Sequence, residues 1–452
     1  MKKIKRIISV AIVAVLMSVF MCVAVSAADN GDSVLTSLIS SGTAVISNEQ
    51  STISCALDVI AYKNQMDIGG IKGNVLNFSA ERFACAMNLS DIESITVTSL
   101  PDISCGSLYI GSEGVSVGQR ISGANIALMT YEEADAGNGK QANFKFSVND
   151  SAYEIVCNIH MIDGVNYSPS LSMASLISLN RETYRNIKVS GVLSAYDPEG
   201  DEMIFEIVKY PANGILVLED RILGTYTYTP NESYTGSDSF SYVVRDRYGN
   251  YSSSATVTIE VNAQRTATVY SDMIDHELYA HAIAVTESGL MNGTRVGDYF
   301  CFEADREVSR AELVVTAMNA IGIKNVPEAE NTGFADDADI NPAMKGYIAL
   351  AYSKGYISGI KSNGEIFFRP NDTVTLSEAA VIVSNMIGYA KPSVTPAFAD
   401  ADSIPSWSSS AIESLYTLGI LEFPDKTVGA NETVTRGDMA ELLNKTMQLI
   451  NK

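Results

Sequence analysis

Tyr270-Ser271-Asp272, Phe334-Ala335-Asp336 and Phe398-Ala399-Asp400 open three stretches of the chain at a constant spacing of 64 residues. The stretches also close alike, on Val308-Ser309-Arg310-Ala311-Glu312, Val374-Thr375-Leu376-Ser377-Glu378 and Val434-Thr435-Arg436-Gly437-Asp438. A repeat of that period is one supersecondary unit that cannot cover its apolar face alone and must stack on its copies. Each copy reads helix, glycine-centred turn, extended piece, polar turn, helix. Gly289, Gly355 and Gly419 hold the same place, just past the first helix. In the third copy Trp407, Ala411, Ile412, Leu415 and Leu418 are expected on one face of that helix. The second helices carry apolar stripes at Leu313, Ala317, Ala320 and Ile321, and at Met439, Leu442, Leu443, Thr446 and Met447.

The second helix of each copy starts on a Ser/Thr-x-x-acid box: Ser309 with Glu312, Thr375 with Glu378, Thr435 with Asp438. In such a box the hydroxyl accepts from the N3 amide and the acid reaches back to the N-cap amide. Asp438 is one methylene short for that return bond. Capping leaves Arg310 and Arg436 unexplained, because they sit one residue into a helix, where the dipole disfavours a cation. A helix start with free amides and an adjacent guanidinium is chemically a site for a carboxylate or phosphate. The alternative is an ordinary ion pair.

The in-phase Phe-x-Asp openings, Trp407, the turn glycines and the Ser/Thr-Arg-Ala-Glu-like boxes resemble three S-layer homology modules, over about residues 266–447. That resemblance implies a pseudo-threefold α-helical prism whose grooves hold an anionic, commonly pyruvylated secondary cell-wall polysaccharide without a covalent bond. Carried onto this sequence, it implies Arg310 and Arg436 as groove arginines. Gly289, Gly355 and Gly419 become points of polymer approach, and Trp407 a sugar-facing or core aromatic. Leu376 stands where the middle module would have arginine, so at most two competent grooves are expected.

The chain has 452 residues, more than one core can serve. Lys2, Lys3, Lys5 and Arg6 precede an apolar run from Ile7 to Val25 and small residues at Ser26, Ala27 and Ala28. That is the pattern of a cleaved secretory signal over 1–27, which leaves no stable membrane insertion. The formal net charge is −22, and removing the four basic residues of the signal leaves −26. So acidic a chain is no partner for nucleic acid. Five scattered cysteines follow the signal (Cys55, Cys85, Cys105, Cys157, Cys301), enough for one or two bridges in the first domain but no zinc spacing.

Between signal and repeats the text is β-like after a Ser/Thr-rich leader at 28–65. Ser94–Leu100, Gly106–Ile110, Asn143–Val148 and Tyr153–Ile159 alternate at period two within a first β domain, 66–165. A second, 166–262, has strand-like runs at Lys188–Ala195, Met203–Lys209, Gly214–Leu218, Gly224–Thr229, Asp238–Arg245 and Ser253–Val261. Both read as antiparallel sandwiches. In the second, Asp197-Pro198-Glu199-Gly200-Asp201, Tyr210-Pro211-Ala212-Asn213-Gly214 and Gly236-Ser237-Asp238-Ser239-Phe240 resemble bacterial cadherin-like, immunoglobulin-like repeats, of which the first domain looks a divergent relative. Asp197, Glu199 and Asp201 with Asp246 could gather oxygens for calcium, against the reading of a solvated turn. Tyr226, Tyr228, Tyr234 and Tyr242 are expected in core and rim.

His276 and His281 lie five apart, about 140° around a helix, so they cannot easily share a metal and are expected solvated. No base serves a serine or cysteine nucleophile. The expectation is a multidomain, non-enzymatic surface protein without a required cofactor. It has two β-sandwich domains, a linker at 263–269 and modules at 270–333, 334–397 and 398–452. Alternatives are an adhesin whose β domains bind an external glycan or protein, a lattice-forming subunit and, last, a wall hydrolase.

Overall fold

The computed structural model describes residues 64–134, 141–171, 179–388 and 396–450. The expected signal, nearly all of the leader, and Cys55 lie outside these residues. The chain divides into two compact units, Met1–Asn166 and Tyr167–Lys452.

The first unit contains β1 (Gln65–Ile71), β2 (Leu76–Asn77), β3 (Ser94–Ser99), β4 (Gly106–Ile110), β5 (Glu113–Gly114), β6 (Arg120–Ser122), β7 (Met129–Glu133), β8 (Ala142–Val148) and β9 (Ile155–Ile162). They form a five-stranded sheet, β1-β9-β8-β3-β6, and a four-stranded one, β2-β7-β4-β5. Alternation sets the faces: in β8 Ala142, Phe144 and Phe146 turn inward while Asn143 and Lys145 face water. Helix α1 (Ala80–Met87), capped by Ser79, adds Phe83, Ala84 and Met87 to the core. There Phe78, Phe83, Phe144 and Phe146 meet edge-on or tilted at 5.0–6.0 Å. A short helix α2 (Gly123–Ile126) follows β6. Two expectations are corrected. The sheet is not wholly antiparallel, because β1 runs parallel to β9 with the rest of the domain as their crossover. Cys85 and Cys157 are free thiols, which rules out two bridges in this domain: Cys157 packs as a small apolar side chain and Cys85 is exposed, while Cys105 is buried.

The second unit opens with a sandwich of β10 (Asn180–Tyr184), β11 (Val189–Val192), β12 (Met203–Lys209), β13 (Gly214–Asp220), β14 (Thr225–Pro230), β15 (Gly236–Asp246) and β16 (Ala255–Asn262). The sheets are β10-β16-β15-β12 and β11-β14-β13. Here too one edge pair, β10 with β16, is parallel. Tyr226, Tyr228, Phe240 and Tyr242 fill the core, and Tyr234 packs at its rim. The Tyr228 hydroxyl donates to buried Asp238, which also accepts from the amides of Ala212 and Asn213.

Three helix pairs follow. They are α3 (Tyr279–Glu287) and α4 (Arg310–Ala320), α5 (Pro342–Ser353) and α6 (Leu376–Ile387), and α7 (Ser406–Thr417) and α8 (Arg436–Ile450). Short hairpins join the first two pairs: β17 (Thr294–Val296) with β18 (Tyr299–Cys301), and β19 (Ile360–Ser362) with β20 (Glu365–Phe367). Each second helix packs on the first helix of the next copy: α4 on α5, α6 on α7, and α8 back on α3. One apolar core results, and it takes in Ile187 and Tyr184 from the sandwich. The expected linker is fastened down rather than free. Glu287, at the end of α3, accepts from the amides of Arg265 and Thr266, from the Thr266 hydroxyl and from Arg265 Nε.

Candidate functional site

The three boxes meet at the centre of the helical region. Val308 N–H donates to Val434 O at 3.0 Å, Val434 N–H to Val374 O at 2.8 Å, and Val374 N–H to Val308 O at 3.2 Å. The ring is closed. The next amides follow the same cycle, each helix start using the loop before a neighbouring box. Arg310 and Ala311 donate to Asp372 O and Pro370 O, Leu376 and Ser377 to Glu432 O and Ala430 O, and Arg436 and Gly437 to Arg306 O and Ala304 O. The N3 amides go to the cap hydroxyls of Ser309, Thr375 and Thr435. Helix-start donors that the sequence reading left free for an anion are therefore already satisfied inside the protein.

The return bonds differ from expectation. Asp438, judged short, does accept from the Thr435 amide at 2.9 Å. Glu378 completes its box with Thr375, whereas Glu312 turns instead to Arg306 and Arg436. The two box arginines explain why. Arg310 donates to Glu378 of the next box at 3.1 Å and lies over Phe368. Arg436 donates to Glu312 at 3.1 Å, to Phe302 O at 2.8 Å and to Asn292 O at 2.6 Å, with its carbon 4.8 Å from the Phe302 ring centre. Both side chains are only 10 % exposed. Burial lowers both guanidinium groups from their ordinary range, against the pull of Glu378 and Glu312. The expectation of an open guanidinium grip is thus corrected: Arg310 and Arg436 staple one copy to another. By position, the staple missing at Leu376 would reach Asp438.

The opening aspartates have a role that their recurrence signalled without revealing. Asp272 accepts from the amides of Phe302 and Glu303, Asp336 from Phe368 and Arg369, and Asp400 from Val428 and Gly429. Each clamps the loop ahead of its box, and bonds from the Val428 and Gly429 amides hold the Asp400 carboxyl below its usual range. Gly289, Gly355 and Gly419 have φ of 69°, 74° and 73°. Around Gly289 and Gly355 a Cβ would meet nothing within 4 Å, so the left-handed turn, not a close approach, requires glycine there. Trp407 does not join the buried face with Ile412 and Leu415; it is 60 % exposed. The expectation of solvated histidines fails for His281, which is largely buried, and His276 precedes α3 rather than sharing it.

At the acidic turn, carboxylate oxygens of Asp197, Glu199 and Asp201 lie within 4.8 Å of one another. Asp197 Oδ1 accepts from the amides of Glu199 and Asp201, while its buried Oδ2 has no partner. Burial, then Asp197 and Asp246, raise the Asp201 carboxyl. Asp246 stands outside the cluster and closes its own turn through the amides of Tyr248 and Asn250. Oxygen donors without nitrogen or sulfur suit a hard cation.

Residues 166–263 match the bacterial cadherin-like domain, and residues 334–380 and 397–440 match the S-layer homology domain. The chain carries S-layer homology repeats beside a cadherin-like domain. Such repeats mark a wall-associated protein of the cell surface, and both domain types are typical of non-enzymatic surface proteins. The surface-layer 125 kDa protein of Lysinibacillus sphaericus is 28 % identical over 119 residues, 26 % of this chain. The chain spans only a tenth of that relative's length. Among solved structures, fibronectin(III)-like modules of Clostridium thermocellum CbhA match at 19 % identity, covering 44 % of this chain and 97 % of theirs, with TM-score 0.20. Domains 4 and 5 of the S-layer protein SbsC match at 13 %, covering 27 % and 65 %, with TM-score 0.15. At these scores the structural likenesses carry no weight.

Proposed function

We propose that all three helix pairs, 270–333 included, act as S-layer homology modules that hold the protein non-covalently on an anionic secondary wall polysaccharide, pyruvylated in the expected form. The β domains are then displayed, and the chain catalyses nothing. The observation that carries this reading is the closed valine ring, in which the first copy donates and accepts as the two matched copies do. Similarity to a surface-layer protein supports the same reading. Since the box arginines are engaged internally, polymer contact is assigned to outward groups, foremost Trp407, whose face can stack on a sugar ring.

Sedimentation of the full chain with purified walls tests this. Trp407→Ala is expected to weaken binding by about tenfold at unchanged melting temperature, in the range of a lost aromatic contact. Chemical depyruvylation of the walls is expected to weaken the wild type as much. Binding that ignores both changes would discard the polymer reading. The acidic turn supports a second, separate assignment, calcium on Asp197, Glu199 and Asp201, because an orphaned buried carboxylate oxygen is left there. Calcium is expected to raise the melting temperature of wild type and not of Asp197→Asn; equal response of the two would remove it.

A further inference from the structure

The sandwich and the helices do not meet flush. Between the outer face of β11, β13 and β14 and the helices α3 and α8 runs a cleft of about 370 Å³, within the roughly 300–1,000 Å³ typical of small-molecule sites. One wall is hydroxylic: Ser190, Thr225 and Thr227 stand on adjacent strands, with Ser190 paired to Thr227 and Thr225 to Val192. The opposite wall is His281 on α3 and Glu441 on α8. Exposed Glu219 on β13 and Glu277 just before α3 also line the cleft.

The chemistry of this lining is specific. His281 Nδ1 is 2.9 Å from the Asn444 amide nitrogen, which can only donate, so the neutral ring carries its proton on Nε2. Nε2 lies 3.9 Å from Glu441, beyond hydrogen-bond reach, and makes no other bond among the described residues. A largely buried donor is therefore left available within the lining. The Ser190 and Thr227 hydroxyls are 3.4 Å apart and one donates to the other, so the pair keeps one free proton and spare lone pairs on both oxygens. The carboxylates only accept. Leu278 and Pro424 add apolar surface. The nearby cations, Arg181 and Lys445, are already engaged by Glu422 and Glu441, so the cleft is net acidic. Its carboxylate and imidazole atoms form no cluster tight enough for a metal ion; among the described residues that geometry occurs only at Asp197, Glu199 and Asp201.

Free donors and acceptors beside apolar patches match a ring bearing hydroxyls on its edge and C–H groups on its face, and the acidic field rejects an anion. We propose that this cleft is a carbohydrate site, distinct from the wall-polymer surface, that takes a hydroxyl-rich sugar carrying no acid group. It exists only where sandwich and helices are joined, a junction crossed by the buried Arg181–Glu422 pair. The assignment does not depend on the wall-polymer reading, since that polymer is anionic and this ligand carries no acid group.

Calorimetry on the full chain with three tetrasaccharides tests it: N-acetylchitotetraose, its deacetylated form, and tetragalacturonate. The neutral and amine-bearing oligomers bind saturably and tetragalacturonate does not. Thr225→Val and Glu277→Gln each weaken the binding by about tenfold, the scale of one lost hydrogen bond, with melting unchanged. Equal binding of tetragalacturonate, absence of binding by both other oligomers at millimolar concentration, or affinity unchanged in both variants would each overturn it.

Discussion

Arg310, Leu376 and Arg436 occupy one position in three copies, and their fates differ by what each can reach. Arg436 satisfies a carboxylate and two backbone carbonyls. Arg310 satisfies one carboxylate, and that carboxylate keeps its bond from the Thr375 amide when the arginine is gone. Arg436→Ala is therefore expected to destabilise by about 3–5 kcal/mol, the cost of breaking a buried charged pair, and Arg310→Ala by clearly less. Urea unfolding of the two variants checks the order; the reverse order would mean that the staples are not what holds these copies together. Adding the absent staple is a weaker intervention, because Asp438 is exposed. Leu376→Arg with Asp438→Glu is expected to gain no more than about 1 kcal/mol.

The elements themselves were readable where one physical signal dominated. Period two placed β3, β4, β8 and most of the sandwich strands within a residue or two of their observed limits, because one face of each is buried. The helix starts were readable because a Ser/Thr box precedes an apolar stripe. Two classes of feature were not. Strand direction leaves no trace in periodicity, which is why the parallel edges β1 and β10 were missed. A charged side chain also reads the same whether it faces a ligand or a neighbouring module. Arginine at a helix start is locally unfavourable, and that anomaly correctly marked a special position. The local sequence could not reveal that the compensating glutamate lies 68 residues onward for Arg310 and 124 residues back for Arg436. Asp336 shows the converse: its recurrence was visible, but its two amide partners lie 32 and 33 residues away and belong to the fold.

Taken whole, the second unit buries charged groups where sandwich and helices join. Arg181 on β10 reaches Glu422 at 2.5 Å, Lys445 bridges Glu422 and Glu441, and His281 sits beside Glu441. Burial alone would lower Arg181, yet Glu422 raises it overall. Burial alone would raise both glutamates, but Arg181 and Lys445 bring Glu422 below its ordinary value and Lys445 with His281 bring Glu441 to about 2. Burial lowers His281 from 6.5 to about 4, with Lys445 and Arg181 adding to the effect and Glu441 and Glu422 opposing it. The signs then define the pH window. The unfolded chain takes up the His281 proton near pH 6.5 and the folded one only near 4, so stability falls as pH drops between those values. The full loss is on the order of 3 kcal/mol. The glutamate contributions are intact above about pH 4.5, the ordinary carboxylate value, and are lost progressively below it as pH falls toward their depressed folded values. Melting of the full chain is therefore expected to fall between pH 7 and 4.5 through the transition that includes Tyr167–Lys452, and His281→Gln, which keeps a polar amide but no proton to gain, is expected to flatten that fall. An equally steep acid response in His281→Gln would place the sensitivity elsewhere and leave the junction without a role in it.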